Sequence, residues 1–177
     1  GIATIDANLK RTTTAYDAAG RTIRVQNALA NITTTVYDAA DRMVALVDAR
    51  GNRHTFAYDA AGRKVKSVDP LGRITTSAYD ADGRQVLRID ARGYRTTYVF
   101  DQAGQLTGQR YPNASRVTLA YDSAGNRTRM RDGTGLYTFT HDGMNRFRDI
   151  AYALGGRTTY SYNELGQRRS QVDLDGG

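Results

Sequence analysis

The sequence contains no cysteine, which excludes a disulfide framework and any cysteine-based metal or nucleophile site. It holds only two histidines, His54 and His141. A histidine triad or zinc site would need convergent partners, and the sequence indicates none. No stretch approaches the ~18 apolar residues of a membrane-spanning helix, so membrane insertion is not expected. There is no basic-then-apolar leader and the first residue is Gly1; the chain reads as a fragment of a longer protein or a processed product. Lysine is scarce as well. Of 25 cationic residues only Lys10, Lys64 and Lys66 are lysine, and the balance against 18 acids is a net charge of +7. Such a charge attracts acidic partners. The arginines recur at intervals and do not form one block, which places them on successive turns.

What the chain has in quantity is a repeat, and a repeat decides the architecture. Tyr16-Asp17, Tyr37-Asp38, Tyr58-Asp59 and Tyr79-Asp80 follow one another at steps of 21 residues. Phe100-Asp101 and Tyr121-Asp122 keep the step, His141-Asp142 follows after 20, and Tyr162-Asn163 after 21. Four residues past the aromatic position stands Gly20, Gly62, Gly83, Gly104, Gly125 or Gly166, with Asp41 and Asn145 in the other two copies. Arg21, Arg42, Arg63, Arg84 and Arg146 come next. The second half of the unit repeats too. Val47-Asp48, Val68-Asp69 and Ile89-Asp90 are followed by Gly51, Gly72 and Gly93, then by Thr-rich runs. Ile5-Asp6 and Val172-Asp173 show the same phase at the two ends.

Each unit therefore carries two Asp-x-x-Gly turns about ten residues apart. A type I turn favours Asp first and Gly fourth, with Pro at the second place; Asp69-Pro70-Leu71-Gly72 has all three. A type I turn closed by a left-handed glycine also joins hairpins. The intervening Thr, Val, Ile, Tyr and Phe suit strands. The spacing predicts an all-β chain of sixteen or so strands in a curved antiparallel meander, with contacts mostly between neighbouring units. A parallel β-helix, whose coils have similar length, remains an alternative. The whole chain, 1–177, is expected to be a single array of about eight units.

Y-D-x-x-G-R, followed by an aliphatic-Asp-x-x-Gly turn and a Thr-rich strand, resembles the YD or Rhs repeat over nearly the whole chain. The resemblance implies an antiparallel sheet that spirals into a hollow shell. Members include Rhs polymorphic toxins, wall-associated proteins, shell components of insecticidal toxin complexes and the teneurins; in the toxins the shell encloses a toxic C-terminal segment. The chain departs from the pattern where Phe100, His141 and Asn163 break the Tyr-Asp pair, and where Tyr111 and Tyr152 replace the second-turn Asp. It shows no self-cleaving core segment, and eight units are too few to close a cocoon.

These features point to a structural shell or scaffold segment, secreted or at the cell surface and bacterial, and not to an enzyme. A self-assembling fibre subunit and a glycan- or polyanion-binding module are the alternatives. The expected partners are neighbouring repeats or further copies, with an enclosed toxin or surface glycan next; nucleic acid is not the expected partner, and no cofactor is implied. The repeated Tyr is expected to stack from unit to unit, the Asp to form turns, and the Arg to pair with the Asp four residues earlier, as Arg21 with Asp17. Arg127, Arg129 and Arg131 alternate in a predicted strand and are expected to share a face that could take a polyanion. Asp80-Ala81-Asp82-Gly83 and Asp173-Leu174-Asp175-Gly176 hint at calcium loops but lack the spaced ligands of an EF-hand.

Overall fold

In a computed structural model of the chain, residues 1–5, 7 and 9–174 are described. The turn expected at Asp6, and the Asp175 and Gly176 parts of the C-terminal Asp-Gly motif, lie outside the described residues. The fold is all-β and antiparallel, with seventeen strands and no helix among the described residues. No helix is long and apolar enough to cross a membrane.

The residues gather into two compact units. The first holds β1 (Ile2–Ile5), β2 (Arg11–Tyr16), β3 (Thr22–Gln26), β4 (Ile32–Tyr37), β5 (Met43–Val47), β6 (Arg53–Tyr58), β7 (Lys64–Val68) and β8 (Ile74–Tyr79). Each pairs antiparallel with the next in chain order. The residues of β9 (Gln85–Ile89) are divided between the units. The second holds β10 (Arg95–Phe100), β11 (Leu106–Arg110), β12 (Arg116–Tyr121), β13 (Arg127–Arg131), β14 (Leu136–His141), β15 (Phe147–Ala151), β16 (Arg157–Tyr162) and β17 (Arg168–Leu174), again paired in chain order. Within each unit the chain reverses at every turn, so the parallel coil is excluded there.

The reversal follows from the turn chemistry. At the Asp59 turn the Gly62 N–H donates to the Asp59 carbonyl at 3.0 Å, and the Asp59 N–H donates to the Arg63 carbonyl at 3.0 Å. The Asp59 Oδ1 accepts from the Ala61 and Arg63 N–H groups at 3.0 and 2.9 Å. Gly62 closes the turn at φ +80°, a conformation that costs an L side chain about 1–2 kcal/mol. The register shifts between Ala57 and Tyr58, the bulge that accompanies this kind of hairpin.

The single 20-residue step has a local cause. Other second turns put five residues between paired positions, as between Val47 and Arg53. Arg131 pairs with Leu136 across only Asp132 to Gly135, and the Asp132 N–H donates directly to the Gly135 carbonyl at 3.0 Å. One turn residue is missing and the strands are intact. At the degenerate Tyr111 turn the backbone bonds persist, with the Ala114 N–H on the Tyr111 carbonyl at 3.1 Å. There Asn113 Oδ1 caps the Ser115 N–H at 3.1 Å in place of the absent carboxylate.

Burial is thin. Ala45 and Phe139 are the buried hydrophobic residues among those described, so no second layer covers either sheet face within a unit. Stability must come from lateral pairing, where each favourable cross-strand side-chain pair contributes roughly 0.2–1 kcal/mol.

Candidate functional site

The repeated residues meet at one end of the hairpins. Arg63 follows the turn glycine, and its Nε donates to Asp59 Oδ2 at 2.7 Å, within its own turn. The same guanidinium donates through Nη1 to the carbonyl of Asp80, seventeen residues on, at 2.7 Å. Its centre lies 5.0 Å from the Tyr79 ring centroid. The Tyr79 hydroxyl in turn donates to the Lys64 carbonyl at 3.0 Å. One arginine thus binds the turn before it, the turn after it and the aromatic face between them.

The arrangement recurs. Arg21 pairs with Asp17 at 2.6 Å, reaches the Asp38 carbonyl at 3.2 Å, contacts the Asp41 carboxylate and covers Tyr37 at 4.9 Å. Arg42 joins Asp38 at 2.8 Å to the Asp59 carbonyl at 3.0 Å over Tyr58 at 5.1 Å. Arg84 reaches the Asp101 carbonyl at 3.2 Å over Phe100 at 5.2 Å. Arg146 pairs with Asp142 at 2.7 Å and covers Tyr162 at 4.2 Å. Where Arg is replaced, an amide serves: Asn126 Nδ2 donates to Asp122 Oδ2 at 3.1 Å and to Asn145 Oδ1 at 2.8 Å. Tyr58, Tyr121 and Tyr162 each place their hydroxyl on a carbonyl fifteen residues earlier, at 2.8, 2.9 and 2.9 Å. Gly20, Gly83, Gly104, Gly125 and Gly166 adopt the left-handed conformation at their turns.

The repeated Tyr rings do not stack on one another as expected. Among the described residues no ring of this phase contacts another; an arginine from the preceding turn covers the ring of Tyr37, Tyr58, Tyr79, Phe100 and Tyr162. Adjacent Tyr positions lie two strands apart, roughly 10 Å, too far for direct stacking and about right for an interleaved guanidinium.

The turn carboxyls are electrostatically committed. Asp17 is held below the usual carboxylate range by the Arg21 side chain first and its backbone N–H second, against the opposing effect of partial burial. Asp142 is lowered in the same order by Arg146. For Asp38 and Asp59 the largest cause is the backbone N–H of Arg42 and Arg63 respectively. A carboxylate so occupied is a turn former, not a proton carrier.

The three arginines of β13 separate. Arg127 is half-buried and lies 4.4 Å from the Phe139 ring centroid. Arg129 and Arg131 are exposed and share a face, opposite Ala120 and Thr118 of β12. The expected three-arginine face therefore loses Arg127, because the bulge between Ala120 and Tyr121 interrupts alternation at that end. His54 is exposed, and His141 lies 4.8 Å from Phe147. Among the described residues no three or more His, Asp or Glu gather to hold a metal. Asp173, expected in a turn, continues β17 and pairs with Thr158.

Sequence reasoning missed Asp149, which is 6% exposed in the middle of β15. Its carboxylate accepts from Thr140 at 2.8 Å, Arg148 at 3.0 Å, Arg157 at 3.1 Å and Thr159 at 3.0 Å. Burial alone raises this carboxyl, but the Thr140, Arg157, Arg148 and Thr159 donors outweigh it and hold it well below the usual range. The available signal was an acid inside a strand, where the other units carry residues such as Ala45, Lys66 or Gly108.

A family model, the Teneurin YD-shell, matches residues 2–140. The chain belongs to the teneurin YD-shell family. Among solved structures it is similar to the crystal structure of TcdB2-TccC3-Cdc42, with a TM-score of 0.73 and 15% identity over 94% of this chain and 11% of that one. TcdB2-TccC3 without its hypervariable C-terminal region gives 0.73 and 15%, over 95% and 11%. The Photorhabdus luminescens Tc holotoxin pore gives 0.68 and 16%, over 94% and 10%. This chain spans about a tenth of the length of those proteins, and the likeness is one of fold. No curated protein sequence matches it.

Proposed function

We propose that this chain is a structural wall segment, one array of about eight YD repeats in an exported shell that encloses a polypeptide cargo. The observation that carries the reading is the recurrent arginine that binds its own turn, the next turn and the next aromatic ring, as Arg42 and Arg63 do. It consumes the polar and aromatic groups that would otherwise be available for catalysis or recognition. What it yields is lateral cohesion between repeats that lack a thick core. Membership of a shell family and the fold shared with toxin-complex proteins support the same role. The neighbouring repeats of the same shell are the primary partner, and no reaction is assigned to the chain.

Electron cryomicroscopy of the native-length polypeptide tests this reading. The expected density is a strand-built wall containing residues 1–177 around a separate interior polypeptide. A fibre without a lumen, or an interior filled only by side chains of the wall, overturns it.

A further inference from the structure

Strand registers place Arg110 directly opposite Arg116. Like charges in this position are destabilising, and equivalent pairs in other repeats avoid them: Gln26 faces Ile32, Val68 faces Ile74, Val47 faces Arg53 and Ala151 faces Arg157. On the same face Thr118 sits between Gly108 and Arg131, and Ala120 opposes Arg129. Four exposed guanidiniums thus collect on one face of β11 to β13. Among the described residues the registers place one acid on this face of the second unit, Asp149, and it is already held by Arg148 and Arg157. Beside the opposed pair, the missing side chain of Gly108 leaves a depression of about 290 Å³ lined by Val99, Arg110 and Arg116. Val99 is 56% exposed there.

We propose that this face binds an extended acidic peptide that presents carboxylate and aliphatic side chains on one side, at every second residue. Guanidinium forks match carboxylates two at a time. Arg129 and Arg131 stand two residues apart on one strand, about 6.8 Å, which is also the spacing of same-side carboxylates on an extended peptide. The Gly108 depression accepts an aliphatic side chain against Val99. No aromatic residue occupies this patch, so it lacks the stacking platform that single-stranded nucleic acid uses. The uncompensated Arg110–Arg116 pair weakens the sheet alone and is relieved when a carboxylate bridges it.

The test uses the full chain and a fluorescein-labelled peptide, Thr-Glu-Thr-Val-Thr-Glu-Thr-Glu-Thr, whose Glu and Val side chains fall on one side when extended, followed by fluorescence anisotropy. Arg110→Gln/Arg116→Gln is expected to weaken binding at least tenfold while melting at or above the parent temperature. Gly108→Ala keeps the charge and narrows the depression; its added Cβ meets Val99 at 3.6 Å, an ordinary contact, so the sheet tolerates it while affinity falls several-fold. Arg50→Gln, at an exposed turn in the other unit, is expected to leave affinity unchanged. Absence of peptide binding, affinity indifferent to the double variant, or equal affinity for a heparin oligosaccharide or an oligo-thymidine strand would each overturn the proposal. So would a fall in melting temperature of the double variant, which would make the pair part of the sheet's own stabilisation.

Discussion

The guanidinium of Arg63 lies over the ring of Tyr79, sixteen residues later, with 5.0 Å between its centre and the ring centroid. The contact joins one repeat to the next, and the same geometry recurs at Arg21, Arg42, Arg84 and Arg146. Its importance follows from how little else is buried. With Ala45 and Phe139 as the buried hydrophobic residues among those described, the energy that orders the chain is spread along the sheet and across these bridges.

Replacing one bridge is therefore expected to be costly. Arg42→Met removes the Asp38 ion pair, the bond to the Asp59 carbonyl and the cover over Tyr58. A loss of about 1–2 kcal/mol is expected from a cation–π contact and a charged hydrogen bond of this partly exposed kind. Arg42→Lys is expected to recover less than half, because a point charge cannot serve carboxylate, carbonyl and ring together. Urea unfolding of the two variants checks both values.

Backbone strain offers a gain. Ala114 occupies the glycine position of its turn at φ +66°. Ala114→Gly is expected to stabilise the chain by roughly 0.5–1 kcal/mol, the relief of left-handed strain less the added freedom of the unfolded glycine. Gly93→Ala is the mirror experiment. Its φ is +81° and nothing lies within 4 Å of the added Cβ, so its expected loss of about 1 kcal/mol comes from the backbone alone. Thermal melts of both variants give the comparison.

These turns were legible in the sequence because their chemistry is local: Asp17 and Gly20 sit three residues apart and need no distant partner to reverse the chain. The antiparallel meander followed from the ten-residue interval. The pairing of Arg21 with Asp17 was equally readable. The reach of Arg21 to the Asp38 carbonyl was not, since it depends on which strands lie side by side and in what register. For the same reason Asp149 gave no sign that Thr140, Arg157 and Thr159 would converge on it from the flanking strands. Arg127 leaves the face of Arg129 and Arg131 because the bulge at the start of β13 breaks the strict alternation that the sequence spacing implies.

Stability is expected to depend on pH in one direction. Asp17, Asp38, Asp59 and Asp142 all titrate below their ordinary range in the fold. Protons therefore bind the unfolded chain more readily, and the stabilisation is present in full above the unfolded carboxyl pKa of about 3.9. It is lost as pH falls through the depressed folded values. Urea midpoints should be level from neutral pH to about pH 5 and fall steadily below about pH 4. A maximum of stability at low pH would contradict the ionised turns.

Asp149 should contribute visibly to that acid limb. Asp149→Asn keeps the shape but removes the charge that faces Arg148 and Arg157. A cost of about 1–2 kcal/mol at neutral pH is expected, at the lower end for a buried charged network because both arginines reach solvent. The variant should also show a shallower decline in stability below about pH 4, measured on the same urea series.

A double-mutant cycle on Arg63 and Tyr79 bears most directly on whether successive repeats are held together through guanidinium and ring. Arg63→Met, Tyr79→Leu and the double variant are compared by urea unfolding, with Arg63 and Tyr37, which share no contact, as the reference pair. A coupling on the order of 1 kcal/mol for Arg63 with Tyr79, and none for the reference pair, is the predicted result. Strictly additive losses at Arg63 and Tyr79 would contradict it.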